Sequence, residues 1–265
     1  MPLPKHSLFL FRKSPLKLVV GQVRFPALPG FSDGSSIPPF SKAVRGDYPR
    51  SDKENQISFQ LSGKGVEQSA GETLWRFSTR DNSWAVVLGE TAITLEARKY
   101  SSFDEFLSRF EGVLTAAKEV LEVTEQTRIG LRYVNEIRYP GAETMADWSQ
   151  LLRPEFLGFA ASDILDGPVE RTFQEVLWLR DDGVLAIRHG LLTGTAVPPR
   201  MGEIPASGRF YLLDLDYYRQ EDRELDPTEI LTKMRRYNSV MYQFFSWTLA
   251  RKLEEYMEPE PCEPK

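Results

Sequence analysis

The chain has 265 residues, 41% of them hydrophobic and 27% charged, with a formal net charge of -5. That balance excludes a disordered composition and provides for a substantial core, and the acidity disfavours steering toward a phosphate backbone unless the basic residues gather on one face. The single cysteine, Cys262, has no partner for a disulfide, and no uncharged apolar stretch reaches membrane-spanning length, so a cytoplasmic chain with no membrane contact is expected.

Near the N-terminus, Leu8-Phe9-Leu10-Phe11 is apolar but too short for a signal-peptide core, and no small-residue cleavage site follows it. Residues 16–25 (LKLVVGQVRF) are rich in β-branched side chains and stop at Pro26, ahead of the turn-forming run Pro29-Gly30-Phe31-Ser32-Asp33-Gly34. A short helix is expected over 36–48. Residues 57–61, 73–79, 84–88 and 92–99 read as the short strands of a meander, with Arg80-Asp81-Asn82-Ser83 as a hairpin turn. Phe103, Phe106, Phe110, Leu114, Ala117 and Leu121 then recur at the spacing of an amphipathic helix, and Ser102 with Glu105 has the pattern of a capping box. A second strand over 128–139 (RIGLRYVNEIRY) is again closed by a proline, Pro140. A short amphipathic segment at 145–152 and strands at 171–179, 184–189 and 209–217 follow. The last element is a long helix, capped by Asp226, with Pro227 in its first turn and a stripe of Ile230, Met234, Tyr237, Met241, Phe244 and Thr248. A disordered Glu/Pro tail is expected over 258–265.

The two halves resemble each other. Gln22-Val23-Arg24-Phe25-Pro26 parallels Glu136-Ile137-Arg138-Tyr139-Pro140, Leu74-Trp75-Arg76-Phe77 parallels Leu177-Trp178-Leu179-Arg180, and Ser102-Phe103-Asp104-Glu105-Phe106 parallels Asp226-Pro227-Thr228-Glu229-Ile230. The expectation is an α+β protein with an internal duplication: one β-α-β(4)-α unit over 1–125 and a second, with three or four meander strands, over 126–257. That order of elements is found in TATA-binding-protein-like and helix-grip folds, and two such units can join into one large antiparallel sheet with the long helices on a single face. By analogy alone, such a fold does not fix a function.

The QVRFP strand at 22–26 and the RIGLRYVNEI segment at 128–137, with Tyr48-Pro49 and the run from Leu95-Glu96 to Phe103, resemble a sporadically distributed family of bacterial and archaeal proteins of about this length. The resemblance implies no catalytic residue, because the family has no settled activity. Its patchy distribution implies a defence or toxin-neutralising setting.

Period-2 alternation sorts the strand faces. In 128–139, Ile129, Leu131, Tyr133 and Ile137 point one way and Arg128, Arg132, Glu136 and Arg138 the other; Gln22 pairs with Arg24, Glu96 with Arg98, and Asp214 with Asp216 on shared faces. If the apolar sets lie under the helices, the opposite face is a lattice of arginines and carboxylates. Such a face either grips a charged partner through Arg24, Arg132 and Arg138 or is knitted to itself by cross-strand ion pairs, each worth only tenths of a kcal/mol to about 1 kcal/mol. Asp214 and Asp216, with Glu96 or Glu136 nearby, offer a Mg²⁺ alternative. His6 and His189 provide no zinc set or triad, and His189 reads as a strand-edge residue. The Gly30 to Ser36 loop and Ser62-Gly63-Lys64-Gly65 read as turns rather than phosphate cradles. Trp75, Trp178, Tyr237 and Phe244 suit a core, while Phe245 and Trp247 near the end of the last helix are candidates for an exposed partner surface.

With no nucleophile, histidine or metal constellation, the leading expectation is a non-enzymatic binding or regulatory module that needs no cofactor and contacts a protein partner. A homodimer, a nucleic-acid-binding saddle and a Mg²⁺-dependent phosphohydrolase or nuclease are the alternatives.

Overall fold

The computed structural model describes residues 9–62, 65–162, 164–199 and 204–261; the readings made at His6, at Gly63-Lys64 and at Cys262 lie outside them. In chain order come β1 (Phe9–Phe11), β2 (Leu16–Arg24), α1 (Ile37–Val44), β3 (Arg50–Ser62), β4 (Gly65–Ser78), β5 (Trp84–Leu88), β6 (Ala92–Ala97) and α2 (Phe103–Val120). Then follow β7 (Glu125–Ile137), α3 (Met145–Trp148), α4 (Pro154–Leu157), a 3-10 turn at Gly158–Ala161, β8 (Gln174–Arg180), β9 (Gly183–Thr193), β10 (Arg209–Glu224), α5 (Pro227–Thr248), α6 (Arg251–Tyr256) and β11 (Pro259–Pro261). The fold is α+β, built on a nine-stranded antiparallel sheet of order β3-β4-β5-β6-β2-β7-β10-β9-β8. Among the described residues no helix is long and apolar enough to cross a membrane. The chain divides into two compact units: 19–131 with 218–234, and residues up to 18 with 132–217 and 235–265.

In the unit of 19–131, sequence periodicity becomes packing directly. Val19 and Val23 are buried, and a Cβ placed on Gly21 between them would sit 3.0 Å from the Phe106 ring, so glycine is what lets α2 approach β2. Antiparallel pairing of Val23 with Ile93, Gly21 with Leu95 and Val19 with Ala97 puts the buried residues of β6 on that same helix-covered face. Phe106, Phe110, Val113, Leu114 and Ala117 are the buried stripe of α2, and Phe40 of α1 meets Phe77 of β4 edge to face at 5.4 Å. Ser102 caps α2 by accepting the Glu105 N–H at 3.1 Å, but the reciprocal half of the expected box is absent, since the Glu105 carboxylate accepts instead from Ser101 and, at 3.0 Å, from Arg109. The strand expected at 57–61 begins earlier, at Arg50, and pairs with β4 along its length apart from an irregularity at Asn55/Ile57.

In the other unit, the expected α5 stripe is buried at Tyr237, Met241, Phe244 and Thr248. Tyr237 stacks on Tyr217 of β10 at 4.1 Å, and the Tyr133 hydroxyl of β7 donates to Asn238 at 2.7 Å, so odd positions of β7 and β10 face α5. Even positions therefore face away, yet that side is not bare. Val134, Phe210, Leu212 and Val197 form a second apolar cluster there, because the segment after β9 folds back across the sheet. The tail expected to be disordered is ordered over its described part: β11 pairs with β1, Lys13 reaches Glu258 at 2.6 Å, and Arg12 meets Glu260.

Candidate functional site

The structure spends most of the predicted arginine lattice on itself. Arg132 grips Asp214 in a two-pronged contact, Nε to Oδ1 at 2.7 Å and an Nη to Oδ2 at 2.6 Å, and Arg188 approaches the same carboxylate at 3.7 Å. The Asp214 contact, with the field of Asp216, raises the Arg132 pKa further against the opposing effect of burial. Glu136 is buried. It accepts from Arg138 at 2.8 Å, Thr195 at 3.0 Å and the Ala196 N–H at 2.8 Å, which fastens the fold-back segment to the sheet. Burial works against the Glu136 charge, but those three donors outweigh it and hold the carboxyl below its usual range. Arg138 directs its remaining donors to the carbonyls of Ser207, at 2.7 Å, and Gly194, and lies over the Phe210 ring.

The other unit repeats the pattern. Glu96 is bound by Arg76 at 2.7 Å, and the same guanidinium reaches Glu54 of β3 at 2.7 Å. Arg24 donates to its neighbour Gln22 at 3.3 Å, Arg128 donates to Gln22 at 3.0 Å, and Arg98 lies one residue beyond β6, half-buried. Asp214 and Glu96 each already have an arginine, and among the described residues no group of three metal-ligating side chains gathers. The lattice expected to recognise a ligand thus acts as an internal brace.

Two further expectations change. His189 is a core residue, not a strand-edge one: its Nδ1 is 2.8 Å from the Tyr211 hydroxyl, which donates to the Phe156 carbonyl at 2.9 Å, and burial holds the imidazole below its ordinary pKa. Phe245 and Trp247 do not overhang the fold. Phe245 is buried against Phe11, and Trp247 packs on Phe156 and Phe244 with Arg153 over its face.

The loop from Gly30 is the turn that was expected, closed by Ser36 N–H to the Gly30 carbonyl at 3.1 Å and by the Asp33 carboxylate accepting from Ser35 N–H at 2.8 Å. It walls an open cleft of about 470 Å³ whose lining includes Trp75, Lys53 and Glu90. The cleft is lined by both acid and base, Asp33 and Glu90 with Lys53.

Solvent meets apolar surface elsewhere. Among the described residues β8 is the last strand of the sheet, with β9 on one side and no strand on the other. It carries Phe173 just before it and Val176, Leu177 and Leu179 within it, exposed by 52, 49, 55 and 76% respectively. Its β9 partners fix the faces: Glu175, Leu177 and Leu179 oppose Arg188, Ala186 and Val184, while Val176 and Trp178 oppose Ile187 and Leu185 on the helix side. The chain enters β8 under constraint, because a Cβ on Gly190 would lie 2.1 Å from the Thr172 carbonyl oxygen. It leaves through a turn at Asp181-Asp182 that is anchored below, where the Tyr217 hydroxyl donates to Asp182 at 2.5 Å and Arg236 pairs with the same carboxylate at 2.8 Å. These contacts hold an apolar strand in place at a sheet edge, where natural sequences commonly place lysine, proline or a bulge.

Sequence reasoning placed a strand at 171–179 but missed its exposed edge, because the signal is an unalternating run, Val-Leu-Trp-Leu, that equally suits a strand buried on both faces. Compared with protein families, with curated proteins and with solved structures, the chain matches none of them.

Proposed function

We propose that the chain is a non-enzymatic binding module that docks a strand of a protein partner along β8. The observation that carries this reading is the exposure of Leu177, Leu179 and Val176 on a strand that, among the described residues, has no strand along its outer edge. Main-chain hydrogen bonds to an added strand supply affinity, and alternate side chains supply selectivity. The engagement of Arg76, Arg132 and Arg138 by the chain's own carboxylates and carbonyls argues for this reading over a phosphate-binding saddle.

The strand order also supports reading the chain as a duplicated unit. Outward from the middle pair run β2, β6, β5, β4 on one side and β7, β10, β9, β8 on the other, and among the described strands of this sheet β3 has no counterpart. On this reading the second copy of the plan lacks its outermost strand, and the partner fills that place. The defence setting implied by the family resemblance fits a module that works by capture.

The test uses the full chain with a photoreactive benzoylphenylalanine in place of Leu179 or, at the opposite edge, of Asp52, irradiated in cells that naturally make the protein. Covalent protein adducts are expected from position 179 and not from 52. No adduct from 179, or equal yields from both positions, would overturn the proposal.

A further inference from the structure

The geometry points to a second copy of this chain as the occupant of the β8 edge, paired antiparallel about a twofold axis that passes through Leu177; this inference rests on the docking reading above. Residues directly opposed in an antiparallel pair share a face of the sheet. A twofold axis perpendicular to the sheet at Leu177 opposes Leu177 to itself, Glu175 to Leu179, Val176 to Trp178 and Gln174 to Arg180.

Every residue of the Gln174–Arg180 strand finds a partner in this register, and no like charges meet. Val176 against Trp178 is a β-branched–aromatic pair of the kind that stabilises antiparallel sheets. On the other face Leu179, the most exposed apolar residue of the strand, meets Glu175, whose carboxylate is already held 2.7 Å from Arg188 and so presents its methylenes. Neighbouring registers do worse. An axis at Glu175 sets that carboxylate against its own copy, an axis at Trp178 sets Glu175 against Asp181, and an axis at Val176 pairs only five of the seven residues. The strand is apolar at its middle and polar toward its ends, which is the pattern a self-complementary C2 interface needs.

A seven-residue pairing is small for a stable interface, and the structure has further apolar surface at the start of β8. A Cβ on Gly158 would lie 3.9 Å from the Gln174 side-chain amide, so Phe159, 73% exposed, borders the strand there. In the proposed pair that end meets Arg180 of the second copy, whose guanidinium lies 4.5 Å over its own Trp178 ring. Phe159 and Phe173 thereby extend the buried patch beyond the strand itself.

The proposal is tested on the full chain in a Cys262→Ser background by sedimentation and by oxidative cross-linking of single cysteines. Sedimentation at tens of micromolar should give a dimer, and Leu177→Cys should form a chain-to-chain disulfide. Val176→Cys and Leu179→Cys should not, because self-pairs off the axis stand roughly 7–8 Å apart or more, too far to bridge. Leu179→Asp, which sets a carboxylate against Glu175, should weaken the dimer at least tenfold, whereas Leu179→Arg should keep it. A monomer, faster cross-linking at 176 or 179 than at 177, or equal dimer strength in the Asp and Arg variants would overturn the inference. A monomer whose Leu179 photoprobe still labels a different protein sinks the second copy while the docking reading stands; a photoprobe that labels nothing sinks both.

Discussion

β4 and β8 hold the same place in the sheet, each fourth when counted outward from β2 and β7, and they differ in what lies beyond them. β4 is covered by β3, and its Arg76 reaches Glu54 of that strand at 2.7 Å. Among the described residues no strand lies beyond β8. Where the local sequence of β4 runs Leu74-Trp75-Arg76, that of β8 runs Leu177-Trp178-Leu179, and Leu179 stands 76% exposed. A covered strand can use a charged side chain to hold its neighbour; at the corresponding place on β8 an apolar side chain meets solvent. The outer edge of β3 teaches the complementary point, since its first five residues, Arg50-Ser51-Asp52-Lys53-Glu54, include four that are charged, the kind of edge that resists strand addition.

The comparison breaks most severely at Gly190. Gly190→Ala places a methyl against the Thr172 carbonyl, where the neighbouring atoms are backbone that cannot swing aside. The expected cost is about 3 kcal/mol or more, at the top of the range for overpacking, read as a fall in the thermal midpoint together with loss of the β8 contact. If Gly190→Ala leaves both stability and association intact, β8 is not held as described.

A smaller effect sharpens the comparison through the two hairpin turns. The β4–β5 turn is tied by the Asp81 carboxylate, which accepts from Ser83 Oγ at 2.7 Å, Ser83 N–H at 3.1 Å and Thr79 Oγ1 at 2.8 Å; these donors hold its pKa well below the usual carboxylate value. The β8–β9 turn is tied by Tyr217 to Asp182. Burial first, then the Asp182 hydrogen bond and charge, push the Tyr217 phenol up to about 12. A depressed acid contributes stability that is present above its unfolded pKa and lost as pH falls through the folded one; a raised phenol contributes stability that is present below about 10 and lost as pH climbs toward about 12. Acid should therefore loosen the β4–β5 turn and base the β8–β9 turn, as seen in backbone chemical shifts at Asn82 and Asp182. Shifts that move together at both turns in acid and in base would contradict these assignments.

The two long helices α2 and α5 were legible in the sequence because their apolar residues recur at a period that only one local structure satisfies, whereas the short α4 and α6 were not. The Ser102 cap and the stripe from Ile230 to Thr248 lie where the spacing puts them. Strand faces were legible too, since alternation separates Ile129, Leu131 and Tyr133 from Arg128 and Arg132. What alternation cannot reveal is which strand lies beside which, and the candidate site depends on that. Arg132, Glu136, Arg138 and Asp214 share a face as expected, but neighbours distant in sequence, Asp214 for Arg132 and Thr195 and Ala196 for Glu136, turn that face into an internal brace. His189 likewise depends on Tyr211, 22 residues further along the chain. Leu177 and Leu179 carry the same chemistry in a buried strand as in an exposed one. Only the order of the sheet makes them a surface.

Amide hydrogen exchange along the two outer strands tests the central claim most directly, because an edge that gains a partner strand gains hydrogen bonds for its outward N–H groups. Followed on the purified full chain over a hundredfold range of concentration, exchange across Gln174–Arg180 is predicted to slow as concentration rises, while exchange across residues 50–54 stays unchanged. Fast exchange along β8 at every concentration, indistinguishable from that of residues 50–54, would contradict the account.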